Sequence, residues 1–207
     1  MNSIKLNFIN RSDVTRNSRI VIFQKNEGTS FDDLAIAWKV IKNCSQGDSH
    51  PFIYEHDTQI VIGDGYGNMT APQTLEPGYK YEIISEEPTG NFLQRSTRAA
   101  TSSSVEIYNV SGSHSAIVYI YRNRRLIATK GVVASGQKTI FDFKPCIYIG
   151  LPSGIEEGDI IDSAVISEIN KQVFLAGIAS ADLVMSEGGT GIDATPFEFS
   201  LENVIYS

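Results

Sequence analysis

Cysteine is scarce in this sequence, since Cys44 and Cys146 are the only two among 207 residues. Two thiols are too few for the disulfide framework of a small secreted domain or for a zinc site with four thiolates. A single bridge between them is one alternative, and two reduced, buried thiols are the other. We favour the reduced pair, because the N-terminal segment lacks the apolar core of a secretory signal.

Positive charge is also in short supply: 17 Lys and Arg stand against 24 Asp and Glu, which gives a formal net charge of -7. Nucleic-acid binding needs clustered Lys and Arg that replace counterions on phosphates, so the composition argues against a nucleic-acid partner. Apolar runs are short as well, and none reaches the roughly 18 residues of a spanning helix. We therefore predict no transmembrane segment, and a protein that is cytoplasmic or released by a leaderless route.

The residues that usually carry catalysis are few, with three histidines in the chain. The sequence has no nucleophile elbow, phosphate-binding loop, dinucleotide fingerprint or zinc-protease motif. Cys44 and His50 lie close in sequence with Asp48 between them, so a cysteine-dependent enzyme is an alternative. His50 and His56 fit no zinc-ligand spacing. We predict no catalytic residues, no metal site, no cofactor and no enzymatic activity.

The sequence repeats itself, because five blocks of the first half have similar blocks in the same order in the second half. The matched ranges are 8–12 with 107–111, 18–26 with 115–123, 47–54 with 136–143, 60–63 with 147–150 and 76–78 with 156–158. We predict two diverged copies, residues 1–97 and 104–207. The small polar residues 98–103 between them are typical of an exposed linker.

Each copy is rich in β-branched and aromatic runs bounded by turn residues, such as Ile20–Phe23 and Ile117–Tyr121. The pattern predicts an all-β fold of two tandem, internally repeated β-sandwich units, similar in architecture to immunoglobulin domains and packed as a pseudo-dimer. The Cys–Trp–Cys spacing of true immunoglobulin domains is missing. Residues 30–41 fit either a helix capped by Ser30 or a strand, and the repeat favours a strand near 34–42.

Two turns supply the candidate binding residues, because loops on rigid sandwiches carry most recognition. The residues are Asp64, Tyr66 and Asn68 in a glycine-containing turn, and Tyr79 and Tyr81 after Pro77-Gly78. Exposed tyrosines there could stack on a sugar or a protein partner. We predict a non-enzymatic binding or self-assembling structural protein that binds itself, another protein or a glycan. The alternative is a lectin-like or membrane-active effector that binds glycans or neutral lipids through its loops, 186–193 among them.

Overall fold

A computed structural model describes residues 3–12, 19–28, 35–86, 90–112, 114–162, 165, 171–188 and 195–207. Seventeen strands run through these residues. The first eight are β1 (Ser3–Asn10), β2 (Ile20–Phe23), β3 (Ala35–Ile41), β4 (Ser49–Glu55), β5 (Thr58–Gly63), β6 (Gln73–Leu75), β7 (Tyr79–Glu86) and β8 (Gly90–Arg98). The others are β9 (Val105–Asn109), β10 (Ala116–Arg122), β11 (Arg125–Val133), β12 (Lys138–Phe141), β13 (Cys146–Gly150), β14 (Ile160–Ile161), β15 (Lys171–Phe174), β16 (Ile178–Glu187) and β17 (Phe197–Tyr206).

The predicted all-β class is confirmed, with several sheets of the kind that make sandwiches. Alternation explains why these segments form strands: in β10, every second residue from Ala116 to Arg122 is buried. The strand expected near 34–42 is confirmed as β3, whereas residues 30–34 lie outside the described part of the chain. The last described strand, β17, is only partly buried.

The strands form two compact units that do not coincide with the two predicted halves. Unit 1 contains Met1–Gln24, Ala35–His56 and Pro145–Ser207, and unit 2 contains Lys25–Leu34 and Asp57–Lys144. Each unit therefore takes strands from both sides of residues 98–103. Sequence similarity between blocks shows which segments resemble each other, but it does not show which segments pack together.

Unit 1 has one sheet in the order β17-β16-β1-β4 and another in the order β14-β3-β2-β13-β15. The β1–β16 pair is parallel, and the other pairs given for these two sheets are antiparallel. Trp38 of β3 is 1% exposed, and its ring meets Phe52 and Tyr54 of β4 edge-on at 6.2 and 5.9 Å. Since β3 and β4 belong to different sheets, these aromatic contacts hold the two sheets of unit 1 together.

Unit 2 has sheets in the orders β12-β9-β7-β8 and β11-β10-β5-β6. Its core is built from inward-facing aliphatic and aromatic side chains, including Ile60, Ile62, Tyr81, Ile83, Ile107, Val118 and Ile120. Part of the β2–β3 connection also belongs to this unit. There the Asn26 amide donates to the Ile140 carbonyl at 3.0 Å, and its oxygen accepts from the Asp142 N–H at 2.8 Å.

The two units share one strand pattern, which becomes visible when their sheets are written side by side. The order β17-β16-β1-β4 corresponds to β8-β7-β9-β12, and β3-β2-β13-β15 corresponds to β11-β10-β5-β6. The parallel pair of unit 1, β1 with β16, has its counterpart in β9 with β7. In chain order, the strands of unit 2 that correspond to β13, β15, β16 and β17 come first, and those that correspond to β1–β4 come second. The matched strand orders of the two units are therefore joined by permuted connections.

The same hydrogen bonds end β1 and β9. Asn10 and Asn109 are both fully buried, and each accepts from the backbone N–H and the hydroxyl of the serine two residues later, at 2.6 Å for both hydroxyls. Each backbone carbonyl also accepts at 2.7 Å from a glycine with positive φ, Gly47 or Gly136. The positive φ explains why glycine stands at both places.

The predicted linker 98–103 lies inside unit 2, where Arg98 ends β8 and the following residues turn into β9. Residues 100–103 are exposed. The Ala100 N–H donates to the buried carboxylate of Glu106 at 2.7 Å, and the Ser103 hydroxyl donates to Asp142 at 3.0 Å. The segment is therefore an ordered surface turn tied down by two carboxylates.

Candidate functional site

A cleft of about 700 Å³ opens in unit 2 between its two sheets. One side comes from β5, β6 and the chain between them, and the other comes from the start of β8. Its apolar lining consists of Ile60, Ile62, Met69, Ala71, Phe92 and Leu93. Its polar lining consists of Asp64, Asn68, Thr70, Gln73 and Asn91, with Gly90 at the end of the cleft. The volume lies in the range of small-molecule sites, and the lining mixes polar and apolar groups in similar amounts.

The cleft exists because the sheet that carries β5 is short at its edge. β6 has three residues, whereas β8, on the other sheet, has nine. Before β6 the chain stays against β5: the Thr70 N–H donates to the Ile62 carbonyl at 2.9 Å, and the Thr70 hydroxyl accepts from the Ile62 N–H at 3.0 Å. Phe92 and Leu93 of β8 consequently remain partly exposed toward the cleft.

The loop 64–68 at the cleft is held by one carboxylate. Asp64 accepts from the backbone N–H groups of Tyr66 and Asn68, both at 2.9 Å, and from the Asn68 amide at 2.7 Å. The side-chain bond from Asn68, together with these N–H groups, lowers the pKa of Asp64. Gly67 has φ +91, which favours glycine in this turn. Tyr66 lies at the tip of the loop with 91% of its surface exposed.

The two other candidate tyrosines lie elsewhere and do not line the cleft. Tyr79 is partly buried, and the guanidinium groups of Arg95 and Arg98 lie 4.6 and 4.1 Å from its ring centroid. Arg95 also pairs with Glu76 at 2.7 Å. The Tyr79 ring is thus already covered by two cations from the neighbouring strand β8.

The exposure expected for Tyr81 is wrong, because Tyr81 is 2% exposed. It occupies an inward position of β7, as does Ile83, and its hydroxyl accepts from the Glu76 N–H at 2.8 Å. Burial raises the pKa of this hydroxyl. Tyr81 therefore anchors the turn before β7 and has no free ring face for a ligand.

The cleft residues of β8 were missed by the sequence analysis. Phe92 and Leu93 belong to a strand whose lining partners, Ile60 and Ile62, are far away in the chain and on the other sheet. No local pattern marks such a meeting of two strand edges. The only available signal is the length difference between β6 and β8, which becomes meaningful once the strand order is known.

Cys44, the candidate nucleophile, is buried in unit 1 and is 2% exposed. Its carbonyl accepts from the Asn10 amide at 2.9 Å, the place that Val133 takes beside Asn109 in unit 2. Burial, with a smaller contribution from Asp48, raises the pKa of the Cys44 thiol to about 11. Cys146 is also a buried thiol outside any disulfide, and its sulfur accepts from the Gln172 amide at 3.3 Å. Cys44 has the environment of a core residue, since catalytic cysteines have a lowered pKa.

Alkylation kinetics test this assignment of Cys44. With a pKa of about 11, on the order of 0.1% of the Cys44 thiol is ionised at pH 8, compared with about 10% for a group at the ordinary value of 9.0. We expect iodoacetamide to modify Cys44 in the folded chain at least about tenfold more slowly than in urea, as followed by mass spectrometry. The Cys44→Val variant should fold normally, because valine is the residue found at the equivalent place in unit 2, at Val133. Faster alkylation in the folded state would restore the cysteine-enzyme alternative.

Among the residues that the structure describes, no group of three or more His, Cys, Asp and Glu side chains could hold a metal ion. In the same residues, no helix is long and apolar enough to cross a membrane. No protein-family model, curated protein or solved structure matches the chain. The geometry of the unit 2 cleft is therefore the observation that bears on function.

Proposed function

We propose that the protein is a non-enzymatic binding protein whose unit 2 cleft holds a small uncharged molecule with both apolar surface and hydroxyl groups. The observation that supports this is the lining of the cleft. Met69, Ala71, Phe92 and Leu93 are at least partly exposed and offer apolar surface above the buried Ile60 and Ile62. The amides of Asn68, Gln73 and Asn91 can both donate and accept hydrogen bonds. A glycan or the glycosylated head of a neutral lipid has this combination of surfaces.

The charge of the lining favours a neutral ligand. Asp64 is the only charged side chain among the described residues that line the cleft, and both of its carboxylate oxygens already accept hydrogen bonds within the loop. A cationic ligand would gain little from a carboxylate used in this way, and an anionic one would be repelled. Tyr66, two residues from both Asp64 and Asn68, gives the loop an exposed ring that can stack on a sugar face.

A cleft-filling variant tests this function. Ala71 is exposed and lines the cleft, so Ala71→Trp should fill it without disturbing the core. Ala100→Trp is the matched control, because Ala100 is equally exposed in unit 2 but away from the cleft. We expect octyl glucoside, below its critical micelle concentration, to bind saturably to the wild-type chain and to Ala100→Trp. In both proteins it should shift the amide resonances of Phe92 and Leu93. Ala71→Trp should abolish both effects.

The proposal would be overturned by a complete lack of binding. The wild-type chain would then show no saturable response to octyl glucoside, no retained glycan on an array and no pelleting with phosphatidylcholine liposomes. Equal binding by Ala71→Trp and the wild-type chain would also overturn it, because the ligand would then be held elsewhere. The array and the liposomes separate the two sources of such a ligand, free glycans and lipids.

We also infer that the two units are diverged copies of one immunoglobulin-like sandwich, encoded by the repeat 1–97 and 104–207. The matched strand orders, the parallel pairs at equivalent positions and the hydrogen bonds of Asn10 and Asn109 support this inference. Duplication followed by an exchange of segments between the copies explains why similar blocks lie in different units.

Self-association is a second candidate function, favoured by the edge strand β17. This ten-residue strand ends in Ile205 and Tyr206, which are 61% and 73% exposed. A register shift near Asn203, at φ 48, interrupts the edge and limits regular strand addition. Light scattering decides: a mass that rises with concentration supports assembly, and a constant 22.7 kDa overturns it.

A further inference from the structure

Unit 1 has a cleft of its own, about 600 Å³ in volume, with a different chemistry. The residues that define it are Arg19, Lys42, Asn43, Ser153, Gly154 and Phe197. Arg19 precedes β2, Lys42 follows β3, and Phe197 begins β17. The cleft therefore lies where three strand ends of unit 1 meet the loop after β13.

This cleft and the unit 2 cleft share two places in the strand pattern, although the unit 1 cleft extends toward β2 and β3 and the unit 2 cleft toward β6. Gly150 ends β13 opposite β2, just as Gly63 ends β5 opposite β10, so residues 151–154 follow β13 as residues 64–67 follow β5. Phe197 begins β17 where Gly90 begins β8. Both clefts are thus bounded by the loop after one strand and by the first residues of another, but their side chains differ.

The charges of the unit 1 cleft are arranged around one carboxylate. The Arg19 guanidinium contacts one oxygen of Glu156, and the Lys42 ammonium contacts the other. Arg19 also donates to the Ile155 carbonyl at 3.3 Å. Arg19 and Lys42 thus bring two cationic hydrogen-bond donors to one place, while the Asp159 carboxylate, which accepts from the Glu156 N–H at 2.8 Å, offsets their excess charge. An oxyanion in the cleft would gain from direct hydrogen bonds to these two side chains.

Apolar side chains lie beside these charged groups in the cleft. A Cβ atom on Gly188, which has φ +90, would lie 2.2 Å from the Phe197 ring, so the glycine lets this ring pack closely on the backbone. Leu151 and Pro152 also line the cleft. A ligand that places an anionic group at Arg19 and Lys42 would thus meet apolar surface with the rest of its structure.

We propose that the unit 1 cleft binds an amphipathic oxyanion, a carboxylate or phosphate attached to an apolar group, and that Arg19 and Lys42 hold the oxyanion in place of Glu156. The guanidinium forms paired hydrogen bonds to planar oxyanions, and the ammonium adds a point charge. Glu156 acts as an internal competitor, because its carboxylate occupies the two cations when the cleft is free of ligand. The protein then has two sites that share a corresponding loop and strand start, one for neutral and one for anionic ligands.

Binding of benzoate, phenyl phosphate and inorganic phosphate to the full chain tests the proposal, with calorimetry as the measurement. We expect benzoate or phenyl phosphate to bind, and the stronger of the two identifies the oxyanion. Inorganic phosphate should bind more weakly, because it lacks the apolar group. Lys42→Gln should weaken binding about five- to tenfold, less than the full loss of a charge-assisted hydrogen bond because the Lys42 side chain is half exposed. Lys144→Gln, which removes a lysine paired with Glu27 in unit 2, is the matched control and should change nothing.

The Glu156→Gln variant tests whether Glu156 competes with the ligand for Arg19 and Lys42 or has only a structural role. If Glu156 competes with the ligand, the loss of its charge frees Arg19 and Lys42 and tightens binding of the aryl oxyanion by about threefold or more. Weaker binding in Glu156→Gln, equal effects of Lys42→Gln and Lys144→Gln, or no binding of either aryl oxyanion would each overturn the proposal. Octyl glucoside binding at the unit 2 cleft should be the same in all of these variants, so failure here is distinguishable from failure of the proposed function.

Discussion

Cutting the folded chain between β8 and β9 is expected to leave its two fragments associated, with the elution volume and mass of the uncut chain. The N-terminal fragment would carry β1–β4 of unit 1 and β5–β8 of unit 2, and the C-terminal fragment would carry the remaining strands of both units. In unit 1, β1 pairs with β16, β2 with β13 and β3 with β14; in unit 2, β9 pairs with β7 and β10 with β5. These five strand pairs would have to break before the fragments separate.

A protease recognition sequence inserted between Ser102 and Ser103, in the exposed turn, makes this experiment possible with the full chain. Size-exclusion chromatography with light scattering should show one species before and after the cut, and strong denaturant should separate the fragments. Separation in ordinary buffer would contradict the strand exchange. It would support two independent sandwiches, 1–97 and 104–207.

Replacing the buried asparagines is expected to cost more stability than any of the surface changes above. Asn109→Ala removes the amide that donates to the Val133 and His114 carbonyls, at 2.7 and 2.9 Å, and the oxygen that accepts from Ser111. Leaving the buried Val133 carbonyl without this partner costs about 1–3 kcal/mol, and the loss of the bonds to His114 and Ser111 adds to it, so we expect unit 2 to lose about 2–4 kcal/mol. Asn10→Ala should have a similar effect on unit 1.

The single tryptophan lets the two variants be told apart. Trp38 belongs to unit 1, so its fluorescence during urea unfolding reports that unit, whereas far-UV circular dichroism reports both units. We expect Asn10→Ala to lower the midpoint of the Trp38 transition and Asn109→Ala to lower the circular dichroism midpoint. Ser45→Ala, on the exposed loop of unit 1, is the control. A loss below about 1 kcal/mol in both asparagine variants would show that the carboxamides do not organise the strand ends.

Local patterns predicted the strands well, because β-branched alternation such as that of Ala116–Arg122 is a property of neighbouring residues. The tight turn at Asp64–Asn68 was also predictable, since Asx and glycine residues specify it locally. Tyr81 was not, because the choice of the inward face of β7 depends on how β7 pairs in its sheet.

The sequence repeat also predicts some equivalent positions in the two units correctly and others wrongly. The matched segments Ile60–Gly63 and Ile147–Gly150 are β5 and β13, which hold equivalent positions in their sheets. Gly78 and Gly158, matched by sequence, differ in place: Gly78 precedes β7, whereas Gly158 donates to the Ala37 carbonyl beside β14. Gly177, before β16, is the structural counterpart of Gly78, and each accepts at 2.9 Å from the residue just after β17 or β8.

The insertion of unit 2 into unit 1 also sets an order of events at the ribosome. Unit 2 has all of its strands once residue 144 has emerged, whereas β1–β4 must wait for β13–β17. At roughly 5–20 residues per second, the first four strands have only one another as partners (β1 with β4, β2 with β3) for about five to thirty seconds of synthesis. During that time the apolar faces of β1 and β2 are exposed, so unit 1 depends more than unit 2 on chaperones or on fast completion of the chain.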